Sequence, residues 1–279
     1  MKTALIGADG QLGSDLYKCL AGEVVPLTYP EFDITQPKAA HDRLFEIAPD
    51  VVINTAAFHR VDECEDNPER SFQVNSIAVR DLALSCRDLG TALVHFSTDY
   101  VFNGEKNHPY TEKDMPGPLS VYAASKLAGE RYIRQILPQH FIIRTCGLYG
   151  KAGCWGKGTN FVDSMIAFQK QGRAIRVVDD QRVTPTATSE LAEKIRELIE
   201  KPHYGLYHMT NEGDCTWVEF ARAIFEILGR AAEIIPVSSV EYGARARRPA
   251  YSVLENQHAG EVGITPFRYW REALSEYLS

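Results

Sequence analysis

Two side chains that can move a proton stand four residues apart in the stretch Tyr122-Ala-Ala-Ser-Lys126. On a helix this spacing places both side chains on the same face. A free phenol has a pKa of about 10, which is too high for efficient proton transfer at neutral pH. A neighbouring ammonium group favours the phenolate. We therefore predict that Tyr122 transfers the proton and that Lys126 lowers its pKa.

A hydroxyl group for the same reaction comes from a strand predicted over residues 92–97, which ends in Ser97-Thr98-Asp99. In doubly wound α/β folds, ligands bind at the carboxyl ends of the strands. We therefore predict that Thr98 hydrogen-bonds the substrate oxygen that Tyr122 also contacts, with Ser97 as the alternative. Capping of the strand end by Thr98 and turn formation by Asp99 are the purely structural interpretations.

Three glycines separate the first predicted strand from the first predicted helix. The sequence Gly7-Ala-Asp-Gly10-Gln-Leu-Gly13 has the spacing GxxGxxG. Glycines allow the backbone to approach a pyrophosphate, and the start of the following helix offers unpaired N–H groups and the positive end of the helix dipole. The position between a strand and a helix favours a dinucleotide site over an ordinary turn.

The choice of dinucleotide stays open. The second predicted strand, residues 23–27, ends without the carboxylate that usually binds the ribose 2′-hydroxyl of NAD. No arginine follows the strand to hold the 2′-phosphate of NADP. Both NADPH and NADH therefore remain candidates, and the missing carboxylate favours NADPH. Asp33, just beyond this strand, either contacts the adenosine or helps to begin the next helix.

Strands and helices alternate through the first half of the chain, with further strands predicted over residues 2–7, 50–54 and 141–145. This alternation predicts an α/β fold with a doubly wound parallel sheet of the Rossmann type. One helix is predicted to be capped by Thr35 and to bury Leu44, Phe45 and Ile47. Residues 1–150 are predicted as the dinucleotide-binding domain and residues 151–279 as a smaller, mainly substrate-binding domain, from which later segments can return to the sheet.

Composition excludes several classes of protein. The chain has 279 residues, 44% of them hydrophobic and 24% charged, which excludes disorder and fibres. Its net charge of −7 disfavours nonspecific binding to nucleic acid or to an anionic membrane. No apolar run approaches the roughly 18–20 residues that span a bilayer, and the first residues do not resemble a signal peptide. The scattered cysteines show no metal-ligand spacing, so we expect reduced thiols, no metal site and a cytoplasmic location.

A longer series of motifs is similar to one enzyme family. In chain order, these motifs are GADGQLG at 7–13, FDIT at 32–35, NTAAFHRVDECE at 54–65, VNS at 74–76, STDYVFNG at 97–104, VYAASKLAGE at 121–130, RTCGLYG at 144–150, NFV at 160–162, DQRVTPT at 180–186, CTWVEFA at 215–221 and RRPAYS at 247–252. With them the chain resembles the extended short-chain dehydrogenase/reductase family, and within it the dTDP-4-dehydrorhamnose reductases.

This resemblance implies that NADPH or NADH reduces the C4 ketone of a dTDP-linked 4-keto-6-deoxy-L-hexose, giving a dTDP-L-rhamnose-type sugar for cell-surface polysaccharide. It implies a catalytic triad of Thr98, Tyr122 and Lys126, with Asp99 close to the sugar. The cofactor-binding residues predicted from the glycine motif and from the resemblance are Gly7, Gly10, Gln11, Leu12, Gly13, Asp33, Ile34, Ala57, Phe58, His59, Phe96, Tyr122 and Lys126.

The sequence departs from the pattern of these reductases near the expected sugar. Gly147 stands where the family has a Trp that contacts the sugar, so the pocket is expected to be larger. Trp155, in a glycine-rich stretch, is a candidate to replace that Trp as the aromatic side chain against the sugar, whereas Trp217 is assigned to core packing. Arg247 and Arg248 are predicted to bind the substrate diphosphate, because guanidinium pairs well with phosphate oxygens. A solvated surface pair is the alternative interpretation.

Two other functions remain open at this stage. One is a nucleotide-sugar epimerase of the same fold. A dehydratase is disfavoured, because Tyr100 stands where the dehydratases of this family carry Glu. The other is a cofactor-binding regulatory subunit without turnover, like the methionine adenosyltransferase β subunit. The resemblance also leaves a homodimer open.

Overall fold

The computed structural model describes residues 1–153 and 158–279. The strands in this part are β1 (Lys2–Ile6), β2 (Glu23–Leu27), β3 (Val51–Asn54), β4 (Ala92–Thr98), β5 (His140–Thr145), β6 (Leu148–Tyr149), β7 (Ile175–Val178), β8 (Arg182–Val183), β9 (Thr186–Ala187), β10 (Gly205–His208), β11 (Cys215–Thr216) and β12 (Ile234–Val237). The α-helices are α1 (Gln11–Cys19), α2 (Pro37–Ile47), α3 (Val61–Asp66), α4 (Pro68–Phe72), α5 (Ala78–Leu89), α6 (Val121–Ile136), α7 (Phe161–Lys170), α8 (Thr188–Ile199), α9 (Trp217–Leu228), α10 (Ser239–Tyr242), α11 (Gln257–Glu261) and α12 (Trp270–Leu278).

Six of these strands form one parallel sheet in the order β10-β5-β4-β3-β1-β2. The order runs outward in both directions from β3 and β1, as in a doubly wound fold. Because parallel strands need crossover helices, both faces of the sheet are covered. The predicted Rossmann-type fold is confirmed.

Side chains that alternate along the strands are buried in two separate hydrophobic cores, one on each face of the sheet. Leu5 of β1 packs toward α1 and α8 together with Leu16 and Leu191. Its neighbours Ala4 and Ile6 point to the opposite face, where α2, α5 and α6 pack. A strand buried on both faces has no polar side to show, which explains its continuous apolar sequence.

A second lobe is built from α7, α9, α12 and the short strand pair β7–β12 around its own apolar core. Between the elements of this lobe the chain returns to the large sheet. Helix α8 packs on α1, and β10 pairs with β5 along Leu206–Ile142 and Tyr207–Ile143. The predicted division near residue 150 stays a prediction. None of the helices in the described part of the chain is long and apolar enough to cross a membrane.

Two local predictions about α2 are wrong. The helix is preceded by Gln36 as its N-cap, without a side-chain cap, while the Thr35 hydroxyl donates to Asp33 Oδ1 at 2.8 Å. Leu44 and Ile47 are buried as predicted, but Phe45 is 68% exposed. Residue 45 follows Leu44 by one position, which turns it about 100° around the helix and away from the sheet.

Candidate active site

The glycine motif forms a tight turn between β1 and α1. Gly7 has φ +75°, which favours glycine, and Gly10 N–H donates to Gly7 O at 3.0 Å. Gly13 brings the first turn of α1 against this loop, since a Cβ there would lie 2.0 Å from Gly7 O. The third glycine therefore sets the distance between helix and loop, and it does not line the cavity beside them.

Replacing Gly13 with Ala is expected to destabilise the protein by about 1–3 kcal/mol, because the added methyl meets backbone atoms that cannot rotate away. Equilibrium unfolding in urea measures the change, and dinucleotide affinity should fall with it as the loop moves. Gly260→Ala is the matched control, since no atom lies within 4 Å of its Cβ position. Equal unfolding free energies for the two variants would contradict this account of Gly13.

One cavity of about 1560 Å³ runs along the carboxyl edge of the sheet. Typical small-molecule pockets measure about 300–1,000 Å³, so this one has room for two ligands. At the glycine turn it is lined by Gly7, Gly10, Gln11 and Leu12. Helix α1 begins there without a side-chain cap, and Gln11 Oε1 is buried without a hydrogen-bond partner in the described part of the chain. The free N–H groups are what a dinucleotide pyrophosphate would engage, whereas the amide oxygen of Gln11 is an acceptor and would take a hydroxyl hydrogen.

The adenosine side of the prediction lies along the same cavity, whose wall includes Ile34 and the run Ala57, Phe58 and His59. Asp33 also lines it, but its Oδ1 already accepts hydrogen bonds from Thr35 N–H and Oγ1 at 2.9 and 2.8 Å. Asp33 therefore orders the turn before α2 and faces the cavity as well. Its contact with adenosine stays a prediction.

The other end of the cavity gathers the groups predicted to do chemistry. Thr98, Tyr122 and Lys126 line it together with Phe96, and Thr98 lies close enough to the Tyr122 hydroxyl to influence it. Tyr122 and Lys126 come from successive turns of α6, whose N-cap Ser120 accepts a hydrogen bond from Ala123 N–H. The structure thus brings the predicted triad together at the end of β4.

The acid–base properties of the pair differ from the prediction. Burial, then the charge of Asp99, raises the pKa of the Tyr122 phenol above its ordinary value. Lys126 does not lower it, because its Nζ faces His95 Nε2 at 3.2 Å, and burial lowers the pKa of Lys126 to about 8. Tyr122 is therefore held in its protonated form, which suits a proton donor.

A polar chain behind Lys126 was not foreseen. Ala56 N–H donates to Asn54 Oδ1 at 3.0 Å, which fixes the amide so that its Nδ2 donates to His95 Nδ1 at 3.2 Å. Burial, then Lys126, lowers the pKa of His95 well below 6.5, so the ring is neutral.

A buried ion pair holds the elements that carry the triad. Arg144 on β5 donates to both carboxylate oxygens of Glu130 on α6, at 3.0 and 2.7 Å, and Ser97 on β4 donates to Glu130 Oε1. The Arg144 and Glu130 side chains are 2% and 1% exposed. Because Ser97 precedes Thr98 and Glu130 lies one turn beyond Lys126, this network ties both β4 and β5 to α6 beside the triad.

The cavity wall at Gly147 differs from the prediction that Trp155 replaces the aromatic side chain missing there. Gly147 has φ +55°, and a Cβ there would lie 3.5 Å from Cη2 of Trp217. Trp217 lines the cavity and packs against Phe161 in a tilted arrangement with ring centroids 4.8 Å apart, in addition to its contacts with the core of the second lobe. Its assignment to core packing alone was too narrow. Trp155, the predicted replacement, lies outside the described residues.

The two arginines of the predicted diphosphate site have different surroundings, although both line the cavity. Arg248 donates through Nη1 and Nη2 to the Asp62 carboxylate at 3.2 and 2.8 Å. Arg247 is exposed and makes no ion pair within the described ranges. Arg248 thus fastens this loop to α3, which leaves Arg247 as the freer cation for a phosphate.

Sequence patterns contained a signal for the residues that were missed. His95 and Ser97 alternate along one strand face, and Lys126 and Glu130 lie four apart on one helix face, so the two pairs could meet. No sequence pattern around Cys146 predicts its contact with Asp99, to whose Oδ2 its Sγ donates at 3.0 Å. Among the described residues, no group of three His, Cys, Asp or Glu side chains is placed to hold a metal ion.

Comparison with known proteins gives relatives that match nearly the whole chain. The spore coat polysaccharide biosynthesis protein SpsK of Bacillus subtilis is 42% identical over 99% of this chain and 96% of its own length. A dTDP-4-dehydrorhamnose reductase of Streptomyces griseus is 39% identical over 97% of this chain and 90% of its own length. The crystal structure of dTDP-4-dehydrorhamnose reductase from Bacillus anthracis in complex with NADP superposes with a TM-score of 0.95 at 36% identity, covering 99% and 98% of the two chains.

More distant structures share the fold alone. A UDP-glucose 4-epimerase of Thermus thermophilus in complex with NAD has a TM-score of 0.85 at 21% identity, covering 100% of this chain and 98% of its own. A family model described as "RmlD substrate binding domain" matches residues 1–279. Because this match spans the whole sequence and the 39–42% identical relatives do too, the chain belongs to the RmlD substrate binding domain family.

Proposed function

We propose that this protein is an NAD(P)H-dependent oxidoreductase that reduces the C4 ketone of a dTDP-linked 4-keto-6-deoxy-L-hexose. The observation that carries the proposal is the single cavity that joins the glycine turn of β1–α1 to Thr98, Tyr122 and Lys126. A dinucleotide at the turn and a ketone at Tyr122 would therefore meet without a rearrangement of the sheet. The relatives named as dTDP-4-dehydrorhamnose reductases support the substrate class.

The chain's own residues would divide the work along the cavity. The N–H groups at the start of α1 hold the pyrophosphate, and the wall containing Ile34 and Ala57 holds the adenosine. Phe96 packs beside the reacting end of the cofactor. The bound nicotinamide supplies the hydride. Lys126, held by His95 at 3.2 Å, is placed to bind a ribose hydroxyl.

Proton delivery follows from the protonated state of Tyr122. As the carbonyl oxygen gains negative charge, the phenol donates its proton to that oxygen. Thr98 lies beside the phenol and contacts the same oxygen, which stabilises the developing charge. Asp99, beside Thr98, and Arg247 also line the cavity, and we place the sugar near Asp99 and the diphosphate near Arg247.

The decisive experiment mixes the purified protein with dTDP-4-keto-L-rhamnose, made in place by the two preceding enzymes, and follows NADPH or NADH at 340 nm. We expect rapid oxidation of at least one cofactor, and the two traces give the preference. Cofactor binding without oxidation would overturn the reduction. A tightly held cofactor recycled with no net consumption would indicate an epimerase, and stable copurification with an unrelated enzyme would indicate a regulatory subunit.

The location and further partners belong to the same proposal. A reaction that consumes NAD(P)H and a nucleotide sugar is supplied with both in the cytoplasm, where we place the protein. No role is assigned to nucleic acid or to a membrane, in keeping with the net charge of −7. A homodimer is proposed from the resemblance alone, and analytical ultracentrifugation measures it.

A further inference from the structure

The carboxyl group of Asp99 is buried in the cavity wall without a cationic partner. The residue is 3% exposed. Thr98 Oγ1 donates to its Oδ1 at 3.0 Å, and Cys146 Sγ donates to its Oδ2 at 3.0 Å. Within the described part of the chain, no Lys or Arg side chain is hydrogen-bonded or ion-paired to it. Among the described residues, an ionised carboxylate in such a place would have neutral donors alone, from Thr98, Cys146 and the nearby Ser252 hydroxyl, and little solvent to stabilise it.

The Thr98 hydroxyl cannot serve both Asp99 and a substrate. A hydroxyl has one hydrogen and two lone pairs. One lone pair of Thr98 accepts Tyr100 N–H at 3.2 Å. If Asp99 is ionised, it can only accept, so its Oδ1 takes the single hydroxyl hydrogen of Thr98. That hydrogen then points away from a ketone placed at Tyr122.

A proton on Asp99 Oδ1 reverses this bond. Asp99 then donates to the second lone pair of Thr98, and the first lone pair keeps Tyr100 N–H. The Thr98 hydrogen is released toward the cavity, beside the Tyr122 hydroxyl. Both hydroxyls can then donate to one carbonyl oxygen, and Cys146 still donates to Asp99 Oδ2.

We propose that Asp99 acts as a neutral carboxylic acid, a positioning residue that turns the Thr98 hydroxyl toward the ketone of the substrate. The inference rests on the proposed reduction at this site. Burial raises the pKa of this carboxyl above its ordinary value, which favours the neutral form. The neutral form also removes the charge that raises the pKa of Tyr122, and so eases release of the phenol's proton.

The groups that face Asp99 set the pH at which it ionises. They are Tyr100 beside it on the chain, Tyr122 from α6, Cys146 after β5 and Ser252 from the C-terminal region. Burial raises the pKa of both tyrosines and of Cys146, so each stays neutral through the range in which Asp99 titrates. Activity is therefore expected to fall as the pH rises through the pKa of Asp99. The ionised carboxylate then accepts the Thr98 hydrogen again, and this hydrogen no longer reaches the ketone.

Two substitutions separate a neutral acid from a carboxylate. Asp99→Ala leaves Thr98 unoriented and is expected to lower kcat/KM about 10²-fold, as for the loss of an oxyanion donor. Asp99→Asn places an amide N–H where the acid proton stood, and is expected to recover most of that loss. It should also abolish the part of the alkaline decline that Asp99 causes. An Asn variant as slow as the Ala variant would show that the carboxylate itself is needed and would overturn the proposal.

A spectroscopic measurement tests the protonation state without any substrate. The infrared difference between the unaltered protein and Asp99→Asn should contain the C=O stretch of a protonated carboxyl at neutral pH, and the band should vanish at alkaline pH. Asp15→Asn is the control, because Asp15 is also buried but is paired with Lys18 at 3.1 Å. Absence of the band at neutral pH would overturn the proposal. A band in a protein that turns over no ketone would leave Asp99 neutral and disprove the reduction instead.

Cys146→Ser provides a second variant if Asp99 substitutions disturb folding. A hydroxyl is a stronger hydrogen-bond donor than a thiol, so it stabilises the ionised carboxylate better. The alkaline decline of kcat/KM should therefore move to lower pH in this variant, and the infrared band should vanish at correspondingly lower pH. An unmoved profile would count against Asp99 as the group that titrates.

Discussion

Tyr122→Phe is expected to lower the rate of ketone reduction by about 10²–10⁴-fold, the contribution of a well-placed general acid. Phenylalanine keeps the ring, which meets Tyr100 edge to face with centroids 6.4 Å apart, and removes only the hydroxyl. Dinucleotide affinity should therefore remain close to that of the unaltered protein. Single-turnover oxidation of the cofactor, measured with saturating ketone, separates this loss from changes in substrate binding.

The matched control for that loss is Tyr132→Phe. Tyr132 lies on the same helix, α6, and is not among the residues that line the cavity. It should turn over ketone at the unaltered rate. A Tyr122→Phe variant as active as Tyr132→Phe would mean that another group, or water, delivers the proton.

Arg144→Met is expected to destabilise the protein by about 3–5 kcal/mol. The substitution leaves the Glu130 carboxylate 1% exposed and without its cation, because Ser97 is then its remaining hydrogen-bond donor within the described residues. Loss of the pair also removes the link from β5 to α6 and leaves Glu130 tied to β4 through Ser97, so the separation of Thr98 and Tyr122 is held less firmly. Equilibrium unfolding in urea measures the first effect and ketone reduction the second.

Lys38→Met is the control for loss of a cation. Lys38 pairs with Asp42, but the two side chains are 88% and 54% exposed, so the change should be within about 0.5 kcal/mol. The double variant Arg144→Met with Glu130→Leu removes both charges and should be less destabilised than Arg144→Met alone. If the double variant is the less stable one, an uncompensated buried charge is not the cause.

Patterns within short stretches predicted much of this molecule. The glycine turn follows from the spacing at residues 7, 10 and 13, and the positions of Tyr122 and Lys126 follow from helical periodicity. The sheet follows from apolar strands that alternate with amphipathic helices. Each of these features is decided by neighbours in the chain, which is the range over which periodicity and turn chemistry act.

The rest depends on partners that are distant in sequence. Arg248 looked free for a phosphate, but Asp62, 186 positions away, holds it. Lys126 was expected to act on Tyr122, but its Nζ faces His95 on β4. Phe45 was counted among the apolar residues of its helix, and only the docking angle of that helix decides which of them face the sheet.

The path of the chain between its two lobes bears on how this family can diversify. The edge strand β10 and the covering helix α8 follow the first elements of the second lobe in sequence, yet they complete the sheet and cover Leu5 and Leu16. Removal of everything after residue 150 would uncover part of one face of the sheet and leave α1 without α8, so we expect the two lobes to fold cooperatively. Evolution therefore cannot exchange the second lobe as a unit, and new specificities must arise by substitutions and loop changes around a retained scaffold.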